Sequence, residues 1–344
     1  MKRLILVALL ASTVLLGASN TCLAVSGAGA INLVFPIGAR YAAMGEAGIG
    51  LSQDATAIWW NPGGLAFLSD RTDHQRDLHI MQSNLAAGLA DDIALYWGGY
   101  AAPWGPSGIF GASLNYLSMG TQEGTNEVGE PTETFSSYMF AISAVYGVKL
   151  TPNLGVGLGI KYFRDRLAPD AVLQDNQGGS GDSFGVDMGV LWKIPSMRMN
   201  FAAALSNLGP NIKHVDADQS DPMPRKMTVG IAYSLFHSEA SALLFVADYL
   251  VPLLNWDTGN QDYGFGAEFD EEEFGLGAEW SYVQSLFFRF GYKSAQAGDI
   301  EDTTWGFGLD LQRWVNQGIT FDYASVPQAT GLDRVNRLSI GFRF

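Results

Sequence analysis

Arg337-Leu338-Ser339-Ile340-Gly341-Phe342-Arg343-Phe344 reads as one extended strand with two unlike faces. Side chains on a strand alternate sides with period two. Leu338, Ile340, Phe342 and Phe344 therefore share one face, which is wholly apolar. Arg337, Ser339, Gly341 and Arg343 share the other, which is polar or small. The sequence stops on the aromatic with no polar tail. Lipid on one side and a wet lumen on the other suits such a strand, so it is expected to close a transmembrane β-barrel and to be the strand that assembly machinery engages.

The same alternation recurs up the chain. Val156, Leu158, Ile160 and Tyr162 alternate with Gly155, Gly157, Gly159 and Lys161. Phe184, Val186, Met188, Val190 and Trp192 alternate with Gly185, Asp187, Gly189, Leu191 and Lys193. Leu286, Phe288, Phe290 and Tyr292 alternate with Phe287, Arg289, Gly291 and Lys293. The period is two throughout, not 3.6. The polar face is rich in glycine, which ordinarily weakens a strand; inside a narrow barrel it makes room and lets the wall curve. Trp and Tyr gather near segment ends, at Tyr96, Trp97, Tyr100, Trp104, Trp192, Trp280, Tyr292, Trp305, Trp314 and Tyr323, as girdles at two membrane interfaces would.

Candidate strands fall near 76–86, 91–102, 107–119, 135–150, 153–167, 182–194, 197–207, 225–236, 240–251, 272–283, 286–296, 303–313, 317–326 and 335–344. That makes about fourteen, an even number as in bacterial single-chain barrels. Residues 263–269 either extend a neighbouring strand or form a hairpin arm. Tight connections (Thr151-Pro152-Asn153, Pro195-Ser196, 314–317) alternate with long polar ones (120–134, 168–181, 209–224, 255–262, 297–302). Short turns at one end and long loops at the other are the outer-membrane pattern, the long loops lying outside.

The beginning of the chain reads as an address. Lys2 and Arg3 precede an apolar run from Leu4 to Gly17, and Cys22 and Ala24 stand at the small-residue positions before a cut after Ala24. Residues 1–24 are thus expected to be a secretory signal peptide, and Cys22, the one cysteine, would leave with it. The composition is 47% hydrophobic and 16% charged, with 41 glycines. Taking Lys2 and Arg3 from the 20 basic residues leaves 18 against 35 acidic ones, a net of −17. Such acidity excludes nucleic acid and anionic surfaces as favoured partners.

Residues 25–75 break the alternation, and residues 76–344 carry it. The break contains Asp54-Ala55-Thr56-Ala57-Ile58-Trp59-Trp60, which reads as a short helix capped by Ser52 or Asp54. Asn61-Pro62-Gly63-Gly64 reads as the turn that ends it. The economical place for such a segment is the lumen, as a partly helical hatch. Met44, Ile58, Leu65 and Phe67, with Trp59 and Trp60, either line a hydrophobic pocket or pack the hatch against the wall.

Gly38-Ala39-Arg40, Ala43-Met44-Gly45-Glu46-Ala47, Asp54-Ala55-Thr56-Ala57 and Trp60-Asn61-Pro62-Gly63-Gly64-Leu65 resemble the N-terminal signature of the PorV/PorQ family, which belongs with the FadL-like outer-membrane proteins. The likeness continues in Ser206-Asn207-Leu208-Gly209-Pro210, in 286–293, and in Phe321-Asp322-Tyr323 leading to 337–344. It implies an integral outer-membrane barrel of fourteen strands with a hatch that carries an Asn-Pro motif, here Asn61-Pro62. Two roles follow from it. PorV-type members serve type IX secretion, receiving cargo proteins at the surface and passing them to other subunits. FadL relatives pass hydrophobic small molecules across the outer membrane.

Catalytic chemistry leaves no mark. There is no Gly-x-Ser-x-Gly elbow and no His-Glu-x-x-His. His74, His79, His214 and His237 lack metal-ligand spacing. Asp270-Glu271-Glu272-Glu273, and the trio Asp216, Asp218 and Asp221, offer oxygens of the kind calcium takes, but read as solvated loop charge. The expectation is a non-enzymatic barrel with no cofactor and no metal. Its partners would be outer-membrane lipid, the barrel assembly machinery, and either secreted cargo with secretion-system subunits or a hydrophobic ligand.

Overall fold

The computed structural model describes residues 29–70, 75–86, 88, 90, 92–105, 108–125, 130–168, 179–214, 220–253, 272–296, 299–315, 318–329 and 332–344. The signal-peptide reading, His74, Asp216, Asp218, Asp270, Glu271 and the ambiguous residues 263–269 lie outside them.

Alternating apolar and glycine-rich faces give the wall its strands. They are β1 (Asp77–Asn84), β2 (Ile93–Trp104), β3 (Gly108–Thr125), β4 (Pro131–Thr151), β5 (Leu154–Ala168), β6 (Gly179–Ile194) and β7 (Met199–Leu208). Then come β8 (Lys226–His237), β9 (Ser241–Pro252), β10 (Glu273–Tyr282), β11 (Leu286–Ala295), β12 (Ile300–Asp310), β13 (Gly318–Val326) and β14 (Val335–Arg343). Each pairs antiparallel with its neighbours in sequence, and β1 pairs with β14 from Asp77↔Arg343 to Asn84↔Asn336. The ring closes with no free edge, which removes the unpaired backbone groups that lipid cannot satisfy. A two-residue ribbon, Ile212–Lys213 with Ser220–Asp221, stands above β6.

Side-chain direction follows the expected alternation. Leu338 and Phe344 are exposed, Ile340 and Phe342 half-buried, and Arg337, Ser339 and Gly341 buried. Phe184, Phe288, Phe290 and Phe307 likewise face outward, while Asp187 and Arg289 face in. One girdle reading is corrected. Trp97 is 3% exposed and lies inside, because it neighbours outward Tyr96 on the same strand. Gly99, also inward, leaves the space its ring fills.

Short turns join the strands at the end that holds Arg76 and Phe344, whose backbones exchange two hydrogen bonds of 3.0 Å. Longer connections lie at the opposite, outer end. There β3 and β4 run on to Thr125 and from Pro131, so most of the expected 120–134 loop is strand. With 21 residues in β4 and nine in β14, the wall stands higher on one side.

Inside the ring, residues 29–70 form the hatch. Its regular pieces are a 3₁₀ turn (Ile31–Leu33), α1 (Ala39–Ala42), α2 (Ala57–Trp60), α3 (Pro62–Leu65) and a 3₁₀ turn (Ala66–Asp70). The hatch touches the wall all round. Asn32 meets Asn115 of β3, Ala39 bonds Ser339 of β14, Gly45 bonds Thr304 of β12, Gly48 bonds Asp248 of β9, and Ala55 bonds Asp77 of β1. Asn61 does not simply end a helix. It ends α2 and also caps α3, with Pro62 at the first helical position. Asp54 accepts from the Thr56 amide at 2.9 Å, just ahead of α2, so it orders the approach rather than capping the helix itself.

Candidate functional site

Two seats hold the hatch against bare backbone. At the first, the turn Asn61-Pro62-Gly63 lies on β5 and β6. A Cβ on Gly63 would stand 2.7 Å from the Gly189 carbonyl oxygen and 2.9 Å from that of Gly155. Side chains on Gly157 and Gly189 would strike Pro62 and Asn61. At the second, Met44 and Gly45 lie on β10 and β11, where Gly275, Gly277 and Gly291 leave the room. The wall glycines at these two seats are therefore the mould of the hatch, not merely relief for curvature. Asn61 fastens the first seat. Its amide donates to the Ile49 and Val190 carbonyls, both at 3.1 Å, and its carbonyl accepts from the Gly63 amide at 3.0 Å.

Charges fasten the rest. Arg40 of α1 donates twice to Glu279 of β10, at 2.8 and 2.6 Å. Arg289 bonds the same Glu279 at 2.6 Å and Asp322 at 2.6 Å. Glu46 lies 2.5 Å from Lys293 and 2.9 Å from Arg337, and Lys293 also faces Glu273 at 3.5 Å. Burial works against the Glu46 charge, yet Lys293 and Arg337 together outweigh it and hold the carboxyl below the usual glutamate range. Asp248 accepts from the Gly48 and Ile49 amides at 2.6 and 2.9 Å. Near the short-turn end, Asp70 pairs with Lys149 and Lys193. In the wall itself, Asn207 has φ +60°, donates its backbone amide to Asp187 at 2.7 Å and meets Lys161, which pairs with Asp187 at 3.1 Å.

Beside the second seat is a cavity of about 80 Å³. Leu33, Val34, Trp59, Trp60, Leu250 and Phe274 give it apolar walls, and Glu46, Lys226, Asp248 and Lys293 bring charge to it. Trp59 and Trp60 meet edge to face at 4.7 Å, and the Lys226 ammonium sits 4.0 Å from the centre of the Trp59 ring. The Trp60 ring donates to the Ile37 carbonyl at 3.1 Å.

The residues singled out from sequence thus part company. Trp59 and Trp60 line the cavity. Asn61, Pro62, Gly63 and Gly64 form the seat and α3, and Gly64 lies tight against the Ser52 carbonyl. Met44 is fully buried over Gly277. Ile58 and Leu65 pack with Ala101, Ile109 and Val145 of the wall, and Phe67 packs with Leu191, Ala202 and Ala204. Leu338, Ile340, Phe342 and Phe344 lie on the outer face, away from the hatch. Arg40, Glu46, Asp248, Glu279 and Arg289 also hold the hatch, with no motif that marks that role. The available signal was charge recurring among glycines on the inward face, with a matching charge in the hatch motifs.

The profile of the PorV family, described as type IX secretion system protein PorV, matches residues 22–253. No curated protein matches the chain. Among solved structures, the toluene transporter TodX of P. putida has a TM-score of 0.54 at 14% identity, covering 90% of this chain and 98% of its own. The monoaromatic hydrocarbon channel CymD gives 0.54 at 13%, covering 91% and 98%. A FadL homologue of Pseudomonas aeruginosa gives 0.51 at 14%, covering 89% and 97%. At such identities the likeness speaks for the fold: a FadL-like, fourteen-stranded barrel with an internal hatch. Family and fold are those of outer-membrane transport and secretion barrels rather than enzymes. With its family profile matched over most of its length, the chain belongs to the PorV family of type IX secretion system proteins.

Proposed function

We propose that this protein sits in the outer membrane as a component of type IX secretion. It receives exported cargo with the loops at the tall outer end while the hatch keeps the lumen shut. The observation that supports this reading is the fastening of the hatch. It is seated backbone to backbone on β5–β6 and β10–β11, and tied by ion pairs to β10, β11 and β14, those of Glu46 buried. A plug held on opposite sides of a closed ring suits a docking platform better than an open conduit. Barrel assembly machinery would insert it, and its partners would be secreted cargo and other subunits of the secretion apparatus.

A second reading, passage of hydrophobic small molecules, draws on the cavity walled by Trp59, Trp60 and Phe274. Deleting the gene separates the two. Loss of cargo proteins from the cell surface, restored by the wild-type gene, is the expected result. Normal surface display with poor growth on a hydrophobic nutrient would replace the docking reading with the uptake one.

A further inference from the structure

We propose that Asp54, Asp77 and His79 form a binding site for a divalent transition-metal ion, which pins the hatch to the first wall strand. Asp54 belongs to the hatch, whereas Asp77 and His79 belong to β1 and, two residues apart, share its inward face. One ligand atom from each of the three lies within 4.8 Å of the others. The His79 Nε2 is 3.2 Å from Asp77 Oδ1 and 4.0 Å from Asp54 Oδ2. Tetrahedral ligands about 2.0–2.2 Å from a zinc ion stand about 3.3–3.6 Å apart. The observed spacings straddle that range, so small side-chain rotations complete the geometry.

The surroundings orient these groups as ligands are oriented. Thr56 gives its amide, at 2.9 Å, and its hydroxyl to Asp54 Oδ1, and the Asp54 Oδ2 faces the imidazole. Ala55 donates its amide to Asp77 Oδ1 at 3.0 Å. The Thr56 hydroxyl also meets the Tyr41 hydroxyl at 3.0 Å, which ties the outer shell to α1. Asp77 is fully buried and Asp54 nearly so. An imidazole with two carboxylates is a donor set that zinc and its first-row neighbours accept. Because ligands come from both hatch and wall, a bound ion would resist withdrawal of the hatch from β1. The spacing in sequence hid the site: two of its ligands are i and i+2 on a strand, and the third comes from a separate segment.

The competing account is that a proton on His79 alone balances the two carboxylates. Zinc is the probe that decides. The full-length chain, purified in detergent with any tag removed and stripped by EDTA, is titrated with zinc against a chromophoric chelator, with metal content read by elemental analysis. One zinc per chain is expected, with a higher Tm and slower hydrogen exchange over residues 48–61. Asp54→Asn and His79→Ala should each weaken zinc binding at least about tenfold, in line with the loss of a metal-ordering group. His214→Ala should bind as the wild type does, since His214 pairs with Asp165 elsewhere in the wall. Heat-modifiable migration in gels reports whether each variant has folded. Less than stoichiometric zinc in the wild type, or unchanged affinity in folded His79→Ala, overturns the site.

Discussion

The side-chain amide of Asn61 donates to the carbonyl of Val190 across the hatch–wall boundary, at 3.1 Å. The same side chain caps α3 through the Gly63 amide. One residue therefore shapes the hatch turn and fastens it to β6. Asn61→Asp keeps the accepting oxygen that caps α3 but removes the donor to Val190 and Ile49. Asn61→Ala removes both, and loss of such a cap costs about 1 kcal/mol by itself. Hydrogen exchange over residues 48–66 should rise in both variants, in Asn61→Asp because a buried carboxylate oxygen would face the Ile49 and Val190 carbonyls. Equal exchange in Asn61→Ala and wild type would mean the turn is held by packing alone.

Gly157 supplies a steric test of the same seat. A side chain there would run into Pro62, in the turn that Asn61 fastens. Gly157→Val should yield a barrel with a displaced hatch: heat-modifiable migration retained, but protease cutting within residues 48–66. Gly98 is the control, because a Cβ on it meets nothing nearer than Ile80 at 3.9 Å. Gly98→Ala should migrate and resist protease as the wild type does. A protected hatch in Gly157→Val would show that the wall yields more readily than the plug.

The wall was legible in the chain because lipid imposes a strict rule. Phe288, Phe290 and Phe307 must face out, so their neighbours Arg289, Gly291 and Gly306 must face in, and a period of two survives every accident of loop sequence. Where the rule lapses, so does legibility. Above the membrane, β3 and β4 carry polar residues on both faces (Gln122 and Glu123 of β3, Glu133 and Thr134 of β4), and six extra residues of β3 read as loop. The hatch was legible as an exception to the alternation, but not in its pieces. Helices of four residues have no face to repeat. Its ties, such as Arg40 to Glu279, join residues 239 positions apart and come together only when the ring closes.

Glu46 links pH to the hold on the hatch. Its carboxyl titrates lower in the folded protein than in the unfolded chain, where a glutamate titrates near about 4.3. A depressed acid contributes its full stabilisation above the unfolded value and loses it as pH falls through the folded one. The tie to Lys293 and Arg337 should thus be intact at neutral pH and fail on strong acidification. Glu46→Gln should lower Tm at pH 7, since it leaves Arg337 and part of Lys293 buried without their anion, a change that typically costs about 3–5 kcal/mol. It should also flatten the fall of Tm between neutral and acid pH. A variant whose Tm falls with acid as steeply as that of the wild type would assign the acid sensitivity to other ion-paired carboxylates, such as Glu279.

Phe344 and Arg343 are adjacent in sequence and opposite in surroundings. Phe344 is exposed on the lipid face and stacks on Tyr100 of β2 at 6.4 Å, bridging over β1. Arg343 turns inward and pairs with Asp310 of β12. A Lys or Arg at the lipid face costs about 2–4 kcal/mol at mid-membrane, and an Asp, or a site toward the interface, costs less; Phe344→Asp also deletes an apolar contact across the seam where the ring closes. Insertion should suffer: less heat-modifiable protein in outer-membrane fractions, and more in the soluble fraction. Arg343→Gln keeps a hydrogen-bonding group toward Asp310 and leaves the lipid face untouched, so its yield should stay near that of the wild type. If the two variants inserted equally well, lipid contact at the β14–β1 seam would not be what the apolar face of β14 contributes to assembly.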